Sequence, residues 1–500
     1  MNSESKINKR VRRYEDIKSF DDSADLVICG FGGAGASAAW EARKLGVDVI
    51  VLERASDGGG STMMSSCEMY LGGSGGTELQ KACGFTDSTE NMIKYLELAM
   101  GAAGDKERIR IYAENAAEHF QWAEKIGVPY KRAFYAERDV VPLSDESLLH
   151  TGNERAWPYN EVCEVVPRGH VPSGDGDFGG TIMMGKILQA VRDLGARITV
   201  DARAHTLIQD DTGRVRGVVA RVDNKDKFIE ARRAVILTCG GFVMNEEMVQ
   251  KHIPHVRRVG LPWGNPWDKG DGILMGVAAG GQAINMGEAF ISFAFYPPAK
   301  LTSGIFVNKR GQRFVNEDSY LARMGYYGFQ QDDGEIYLLA QNEDFERSAY
   351  LVNTEIVGTG DTIAEVEAEA GFPEGSLQGT VELYNKFAAK GEDPFFHKAK
   401  EWVKPLVDAP FALVKYNFKD IKAPAGTDQG VPIFTLGGLE VRPTGEVLTP
   451  DGEVIPGLFA AGRTVAGLPR TCVGYSSGMS VGDATFFGRL AGRTAAKANA

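Results

Sequence analysis

A chain of 500 residues is longer than a single hydrophobic core usually extends, so its length predicts more than one domain. The 67 acidic residues outnumber the 55 basic ones and give a formal net charge of −12, which disfavours binding to nucleic acid. No apolar run approaches the roughly 18 residues of a membrane-spanning helix. The composition therefore predicts an ordinary globular protein with no integral membrane segment and no nucleic-acid partner.

The first 22 residues are charged and polar, and they lack the apolar stretch that an export signal needs. The six cysteines form no CxxC pair, and several lie inside apolar runs, as buried reduced thiols do. Both features predict a cytoplasmic protein with a polar N-terminal extension. We assign no metal site, although His252 and His255 lie close together in a basic stretch.

Residues 24–53 have the pattern of a buried strand, a glycine turn, an Ala-rich helix and a second buried strand. Gly30, Gly32 and Gly35 have the spacing G-x-G-x-x-G at the turn, and Glu53 ends the second strand. In such a unit the glycines allow a tight turn, close approach of a pyrophosphate and close packing of helix on strand. The helix N-terminus attracts the phosphates, and the acid accepts hydrogen bonds from a ribose. This segment predicts a dinucleotide-binding site.

A glycine-rich stretch follows over residues 58–76, where a simple nicotinamide dehydrogenase needs none. A longer dinucleotide with a ribityl chain and a ring system does need backbone clearance there. Helical periodicity follows over residues 88–127, and residues 128–180 are irregular with no clear chemistry. An apolar run over 234–239 then predicts another buried strand, which ends in two glycines.

Residues 286–415 have more aromatic side chains and fewer glycines than the rest of the chain, and the glycine-rich style returns after them. We therefore predict an α/β protein whose Rossmann-like cofactor domain is split in sequence over residues 23–285 and 416–500. The segment 286–415 is predicted to be an inserted α+β substrate domain, and residues 1–22 an extension.

Several motifs, in order along nearly the whole chain, resemble the FAD-dependent fumarate reductase/succinate dehydrogenase flavoprotein superfamily. Besides the N-terminal fingerprint they are Gly60-Ser61-Thr62, Thr238-Cys239-Gly240-Gly241, Gly270-Asp271-Gly272, Gly311-Gln312-Arg313-Phe314-Val315-Asn316-Glu317, Thr435-Leu436-Gly437-Gly438 and Gly457-Leu458-Phe459-Ala460-Ala461-Gly462. The resemblance implies an active site between the two domains, with hydride transfer between a substrate carbon and the flavin. It implies non-covalent FAD, because no histidine lies beside Gly60-Ser61-Thr62, where covalently flavinylated relatives carry one.

The same resemblance implies a set of cofactor-binding residues. Those near the phosphates and ribose are Gly30, Gly32, Gly33, Ala34, Gly35, Glu53, Arg54, Gly60, Ser61 and Thr62; the others are Gly73, Ala204, Gly240, Gly462 and, beside the flavin ring, Gly478, Met479 and Ser480. The last three lie at a predicted helix start, whose positive end stabilises negative charge on a reduced flavin.

The motif positions that bind a dicarboxylate in fumarate reductases are changed in this chain. Phe434 stands where they carry a histidine, and neither of two expected arginines is present near Tyr320 and Tyr475. Bidentate arginines are the preferred anchors for carboxylates, so fumarate reduction is not predicted. The inserted segment instead contains aromatic residues that favour a flat, apolar ketone as substrate: Phe290, Phe293, Phe295, Tyr296, Tyr326, Tyr327 and Phe329.

Tyr320, Tyr475 and Ser477 together resemble the 3-ketosteroid dehydrogenase branch, most closely its Δ4-(5α) type. The resemblance implies that Tyr475 donates a hydrogen bond to the C3 oxygen and that Ser477 removes the C4 proton. Tyr320 would relay that proton, and the flavin would take the hydride from C5. An unaided serine is a weak base, so this arrangement needs the tyrosine partner.

Several alternatives stay open on the sequence alone. One is a Δ1-dehydrogenase or a dehydrogenase of smaller cyclic ketones, and a second is a reductase that saturates an enone. A third is an electron-transfer subunit without a substrate pocket, although the chain has no cysteine clusters for iron–sulfur clusters and no CxxCH haem motif. No motif identifies the external electron acceptor, and peripheral association with a membrane stays open for an apolar substrate.

Overall fold

The computed structural model describes residues 10–139, 141–174, 179–258, 260–293, 298–346, 355–418 and 431–499. Two of the aromatic residues singled out in the sequence, Phe295 and Tyr296, lie outside these ranges, as does the start of the predicted N-terminal extension. None of the helices within them is both long and apolar enough to cross a membrane.

The described strands are numbered in chain order. They are β1 (Val11–Arg13), β2 (Asp22–Cys29), β3 (Val49–Leu52), β4 (Met69–Tyr70), β5 (Leu148–Leu149), β6 (Gly169–His170), β7 (Arg197–Thr199), β8 (Arg203–Gln209), β9 (Val215–Val222), β10 (Lys225–Leu237), β11 (Gly260–Pro262), β12 (Ala283–Ile284), β13 (Ala289–Ile291), β14 (Ile305–Asn308), β15 (Glu335–Gln341), β16 (Glu355–Gly360), β17 (Phe411–Asn417), β18 (Val431–Thr435), β19 (Gly438–Leu439), β20 (Glu446–Leu448) and β21 (Val454–Ala460).

The described α-helices are numbered in the same way. They are α1 (Gly33–Lys44), α2 (Gly60–Met63), α3 (Glu78–Ala82), α4 (Thr89–Met100), α5 (Lys106–Lys125), α6 (Tyr159–Val162), α7 (Gly179–Asp193), α8 (Glu246–His252), α9 (Asp271–Ala278), α10 (Leu321–Phe329), α11 (Ile363–Glu369), α12 (Ser376–Ala388) and α13 (Met479–Lys497).

A nine-stranded sheet organises the protein, with the order β1-β8-β9-β10-β2-β3-β7 and with β21 and β20 branching from β10. The strands β2, β3, β10 and β21 are parallel, and Cys29 is in register with Leu52 and with Leu237. Leu237 is in turn in register with Ala460. The carboxyl ends of four strands therefore meet at one edge, which is where α/β sheets bind their ligands.

The helix α1 covers this sheet and is itself covered by the C-terminal helix α13. Small residues let the two helices approach closely: a Cβ atom on Gly488 would lie 2.5 Å from the Ala34 carbonyl oxygen, and one on Gly492 would lie 2.3 Å from that of Ala38. The last residues of the chain thus hold the first cofactor-binding helix in place, so the N- and C-terminal thirds belong to one fold.

Four smaller sheets lie beside the main one. A four-stranded sheet, β14-β15-β17-β16, is built entirely from residues 305–417, and three short sheets contain the strands β11-β18-β13, β12-β19 and β4-β6-β5. The predicted α/β class with a Rossmann-like fold is confirmed. The division into domains at 286 and 415 stays a prediction.

The strand β10 is longer than the sequence predicts, because two different pairings share it. Residues 225–230 pair antiparallel with β9, whereas residues 229–231 and 234–237 pair parallel with β2. Only residues 234–237 form a continuous apolar run, buried between the helices on one face of the sheet and a second apolar cluster on the other. Residues 225–230 are mostly charged and include only two apolar residues, so they give no equally strong signal.

Candidate active site

A cavity of about 350 Å³ opens at the edge where the four parallel strands end. It extends from the glycine turn after β2, past the loop between Trp263 and Asp268, to an aromatic wall near Tyr475. Its walls come from segments spread over more than 450 residues of sequence, from Cys29 to Ala484.

The glycine turn has the geometry that its spacing predicts. Gly30 has φ +108°, and a Cβ atom there would lie 2.4 Å from the carbonyl oxygen of Thr238 on the neighbouring strand. A Cβ atom on Gly35 would lie 2.0 Å from the Gly30 carbonyl oxygen. Both contacts are with backbone, so neither position tolerates a side chain without displacing the strand or the helix.

The N-terminus of α1 faces the cavity, because Gly32, Gly33 and Ala34 all line it. The N-cap residue, Gly32, has no side chain to cap this helix end, and the Gly33 N–H donates to the Thr62 hydroxyl at 3.3 Å. A Cβ atom on Gly32 would meet no protein atom closer than 3.7 Å, so packing within the protein does not require a glycine there. The glycine keeps space free beside the exposed N–H groups, as an anionic ligand needs.

Glu53, at the end of β3, is held with its carboxylate in the cavity wall. One carboxylate oxygen accepts the Phe31 N–H at 2.7 Å and the other accepts the Ala55 N–H at 2.8 Å. Burial raises the pKa of Glu53 although these backbone hydrogen bonds oppose the effect. Each oxygen keeps a second lone pair that can accept from a ribose hydroxyl.

Arg54 and its neighbours form a cationic group at this end of the cavity. The Arg54 guanidinium lies 4.0 Å from the centre of the Trp267 ring and 3.3 Å from the Asp271 carboxylate. Arg203 and Arg10 also pair with Asp271, at 3.1 and 3.0 Å. Burial opposes ionisation of Asp271, but the bonds and charges of Arg203 and Arg10 outweigh it and lower the pKa.

Ser61 belongs to a charged cluster that the sequence analysis did not identify. Its hydroxyl donates to Asp268 at 2.9 Å and accepts from the Arg463 guanidinium at 2.7 Å and from the Asn265 N–H at 2.9 Å. Arg463 also pairs directly with Asp268. Arg463 directly follows the motif residue Gly462, so the motif could have identified it. Asp268 lies in a loop that has no recognisable sequence motif.

The other end of the cavity is aromatic around Tyr475. Its ring centre lies 4.7 Å from that of Phe290 and 5.6 Å from that of Phe434, and its hydroxyl donates to the Ser480 hydroxyl at 3.0 Å. Burial raises the pKa of Tyr475 to about 12. The phenol is therefore protonated near neutral pH and is available as a hydrogen-bond donor.

Ser477 and Tyr320 are 157 residues apart in sequence, but their hydroxyl groups are hydrogen-bonded to each other. Ser477 lines the cavity, whereas Tyr320 lies behind it with 1% of its surface exposed. A hydroxyl at the cavity surface with a second hydroxyl behind it can pass a proton inward.

Most of the predicted site residues line the one cavity. Those on its wall are Gly30, Gly32, Gly33, Ala34, Glu53, Arg54, Gly60, Ser61, Thr62, Ala204, Gly240, Gly462, Tyr475, Ser477, Gly478 and Ser480. Three predicted cofactor-binding residues are not on the wall. Gly35 packs helix on strand, and Gly73 packs against the Ala113 carbonyl of α5. Met479, at the first position of α13, is completely buried.

His252 and His255, to which the sequence analysis assigned no metal, pack against aromatic rings. Their ring centres lie 5.9 Å from Phe242 and 6.0 Å from Phe329, respectively. Among the residues that the structure describes, no group of three or more His, Cys, Asp or Glu side chains is arranged to hold a metal ion.

The cavity fits an FAD molecule in three respects. It has a helix N-terminus lined by glycines for a pyrophosphate, a carboxylate for a ribose, and a wall that continues to an apolar, aromatic end for a ring system.

Comparisons with known proteins agree with this geometry. A family described as FAD binding domain matches residues 25–478. The crystal structure of a 3-ketosteroid-Δ4-(5α)-dehydrogenase from Rhodococcus jostii RHA1, in complex with 4-androstene-3,17-dione, is 40% identical in sequence with a TM-score of 0.90. That similarity covers 98% of this chain and 100% of the other.

Two further relatives are more distant in sequence. A 3-oxo-5α-steroid 4-dehydrogenase from Comamonas testosteroni is 24% identical over 89% of this chain and 94% of its own length. A fumarate reductase (cytochrome) from Shewanella frigidimarina is 26% identical over 95% of this chain and 77% of its own length. The predicted resemblance to the fumarate reductase superfamily and its ketosteroid dehydrogenase branch is confirmed.

Proposed function

The chain belongs to the FAD binding domain family and is an FAD-dependent oxidoreductase, and on that premise we propose that it dehydrogenates a 3-ketosteroid. In the proposed reaction C4 of a 5α-saturated A ring loses a proton and C5 loses a hydride, which leaves a C4–C5 double bond. The observation that carries the proposal is the hydrogen-bonded pair Ser477–Tyr320 next to Tyr475 at the apolar end of the cofactor cavity.

The wall around this end suits a flat apolar substrate with one polar group. Phe290, Leu321, Pro432 and Phe434 supply its apolar surface. Arg463 also lines the cavity, but the carboxylate of Asp268 neutralises it, so it is not a free anchor for a dicarboxylate. This difference favours a ketone over fumarate as the substrate.

Bound FAD supplies the hydride acceptor, and the chain's own side chains handle the proton and the ketone oxygen. Tyr475 donates a hydrogen bond to the C3 oxygen, for which its hydroxyl leaves Ser480. This bond stabilises the negative charge that develops on the oxygen as the C4 proton departs. Ser477 accepts that proton as its own hydroxyl proton passes to Tyr320, and Tyr320 in turn releases its hydroxyl proton towards solvent.

An anaerobic titration of the FAD-loaded protein with 5α-androstane-3,17-dione tests the proposal. We expect the absorption of the oxidised flavin to be lost with one equivalent of steroid, and the 4-ene-3-ketone to be recovered. A 1-ene product would instead identify a Δ1-dehydrogenase. If the spectrum does not change, the photoreduced protein is mixed with the 4-ene-3-ketone, and reoxidation of its flavin would identify an enone reductase.

A further inference from the structure

We infer that residues 151–153 position the Ser477–Tyr320 pair, with Thr151 holding the serine and Asn153 holding the tyrosine. Neither of these two residues is among those that line the described cavity, so they act through the pair and not on the substrate. The expected effect of Thr151 and Asn153 on the reaction rate rests on the proposed function, whereas their hydrogen bonds to the pair do not. The segment lies in the stretch 128–180, to which the sequence analysis assigned no role.

Thr151 makes two hydrogen bonds to the backbone of Ser477. Its carbonyl oxygen accepts the Ser477 N–H at 2.8 Å, and its hydroxyl donates to the Ser477 carbonyl oxygen at 3.0 Å. Both polar backbone groups of the serine are therefore occupied by one residue, which is itself completely buried. Because the two hydrogen bonds engage both the N–H and the carbonyl group of Ser477, they fix the orientation of its backbone as well as its distance from Thr151.

Asn153 holds the backbone of the other member of the pair. Its side-chain oxygen accepts the Tyr320 N–H at 2.8 Å, and 1% of its surface is exposed. Its own N–H donates to the hydroxyl of Tyr95 at 3.0 Å, and that hydroxyl is hydrogen-bonded to Ser476 at 2.9 Å. Asn153 is thus tied both to Tyr320 and to the segment that carries Ser477.

Gly152 shows how closely the two segments approach between these anchors. A Cβ atom there would lie 2.2 Å from the Ser476 hydroxyl oxygen and 2.6 Å from that of Tyr95. Ser477 and Tyr320 lie on separate loops, and their mutual contact is one hydrogen bond between two side chains that rotate freely when unrestrained. A third segment that fixes both backbones limits how far the two hydroxyl groups can move apart, and small displacements of reacting groups cost up to about 10²-fold in rate.

The test uses Thr151→Val, which removes only the hydroxyl bond, and Asn153→Ala, which removes the acceptor for Tyr320. Thr151→Ser keeps the hydroxyl and is the conservative variant. Thr206→Val is the matched control, because Thr206 is a buried threonine on β8 that is hydrogen-bonded to His205 and does not line the cavity. Each variant is also made with Tyr320→Phe, which deletes the relay hydroxyl.

In the FAD-loaded variants, the rate constant for flavin reduction at saturating steroid is expected to fall by about 10- to 100-fold in Thr151→Val and Asn153→Ala. The steroid Kd and the FAD content are expected to stay unchanged, and Thr151→Ser to restore the rate. When Tyr320→Phe is already present, Asn153→Ala is expected to lower the rate constant for flavin reduction little further. The inference would be overturned if Asn153→Ala lowered the rate constant by the same factor with and without Tyr320→Phe. It would also be overturned if Thr151→Val and Asn153→Ala both reduced the flavin at the wild-type rate.

Crystal structures of Thr151→Val and Asn153→Ala separate this inference from the proposed function. We expect the Ser477 and Tyr320 hydroxyl oxygens to move beyond the ~3.5 Å reach of a hydrogen bond in at least one of them. Intact hydrogen bonds in both structures would refute the positioning role, whatever the substrate is. Failure of the wild-type flavin to react with the steroid would refute the proposed function and leave the crystallographic result to decide the positioning role.

Discussion

Burial gives Tyr475 the property that its proposed role needs. A phenol in water has a pKa near 10, and desolvation in the aromatic wall raises the pKa of Tyr475 to about 12. The proton therefore stays on the phenol oxygen at any pH at which the protein works. In this structure the hydroxyl donates to Ser480, the acceptor that a ketone oxygen would replace in the proposed reaction.

We expect Tyr475→Phe to keep the aromatic packing with Phe290 and to lose only the donor. The rate constant for flavin reduction by the steroid should fall by about 10²- to 10³-fold, as when one oxyanion donor is removed. Stopped-flow absorbance at saturating steroid measures it. Tyr384→Phe is the control, because Tyr384 is a buried tyrosine whose hydroxyl accepts the Lys404 N–H away from the cavity. Equal rates in wild type and Tyr475→Phe would contradict the donor role.

The loop before α10, which carries Tyr320 at its end, is anchored by a buried cluster of four charges. Arg313 makes paired hydrogen bonds to Glu317 at 3.1 and 2.8 Å and to Asp393 at 2.9 and 2.9 Å. Lys398 lies 3.0 Å from Glu317, and its side chain is completely buried. The cluster ties this loop to the segment before β17, the last strand of the four-stranded sheet.

Arg313→Ala leaves two buried carboxylates with one lysine, so we expect the free energy of unfolding to fall by about 3–5 kcal/mol. Arg310, three residues earlier, pairs with Asp332 at the surface, and Arg310→Ala should cost less than about 1 kcal/mol. Urea denaturation of both FAD-loaded variants measures the difference. Equal losses would show that the buried cluster contributes no more than an exposed pair.

Elements with strong local patterns were predictable from the sequence. The strand β3 ends directly before Glu53, where its end was predicted, and the glycine turn before α1 has the backbone geometry that its spacing implies. The periodicity over 88–127 was found, but α4 and α5 are separate helices, because Gly101 ends the first and Asp105 caps the second. Periodicity locates apolar faces and does not by itself locate such breaks.

Across the whole molecule, the contacts that complete the site join segments far apart in sequence. Asp268 and Arg463 meet across 195 residues, and Asn153 and Tyr320 across 167. No local pattern encodes such pairs, because each partner alone is an ordinary polar residue in a loop. The resemblance to a known superfamily supplied Tyr320 and Ser477, whereas the residues that hold them could be found only from the three-dimensional structure.

Among the described residues, His119 and His170 are completely buried and His150 is partly buried, and these histidines make the stability of the fold depend on pH. Burial lowers the pKa of His170 to about 4 and that of His150 to about 3, and it also lowers the pKa of His119. The carbonyl oxygen of Arg168 accepts from the Nδ1–H of His170 at 2.8 Å. The Nε2 atom of His170 therefore accepts a hydrogen bond from the Thr77 hydroxyl at 2.7 Å, which is possible only while the His170 ring is neutral.

Because an unfolded histidine binds a proton near pH 6.5 and native His170 binds one only near 4, the unfolded chain holds the extra proton between these values. The stability contribution of neutral His170 is therefore complete above pH 6.5 and is lost as the pH falls towards 4. We expect His170→Asn to be less stable than wild type near neutral pH, but to lose about 1.4 kcal/mol less per pH unit on acidification. Urea denaturation of the FAD-saturated proteins at several pH values between about 7 and 5 measures both slopes. Parallel slopes would mean that His170 binds its proton equally well in the folded and unfolded states, and that the acid sensitivity comes from other groups.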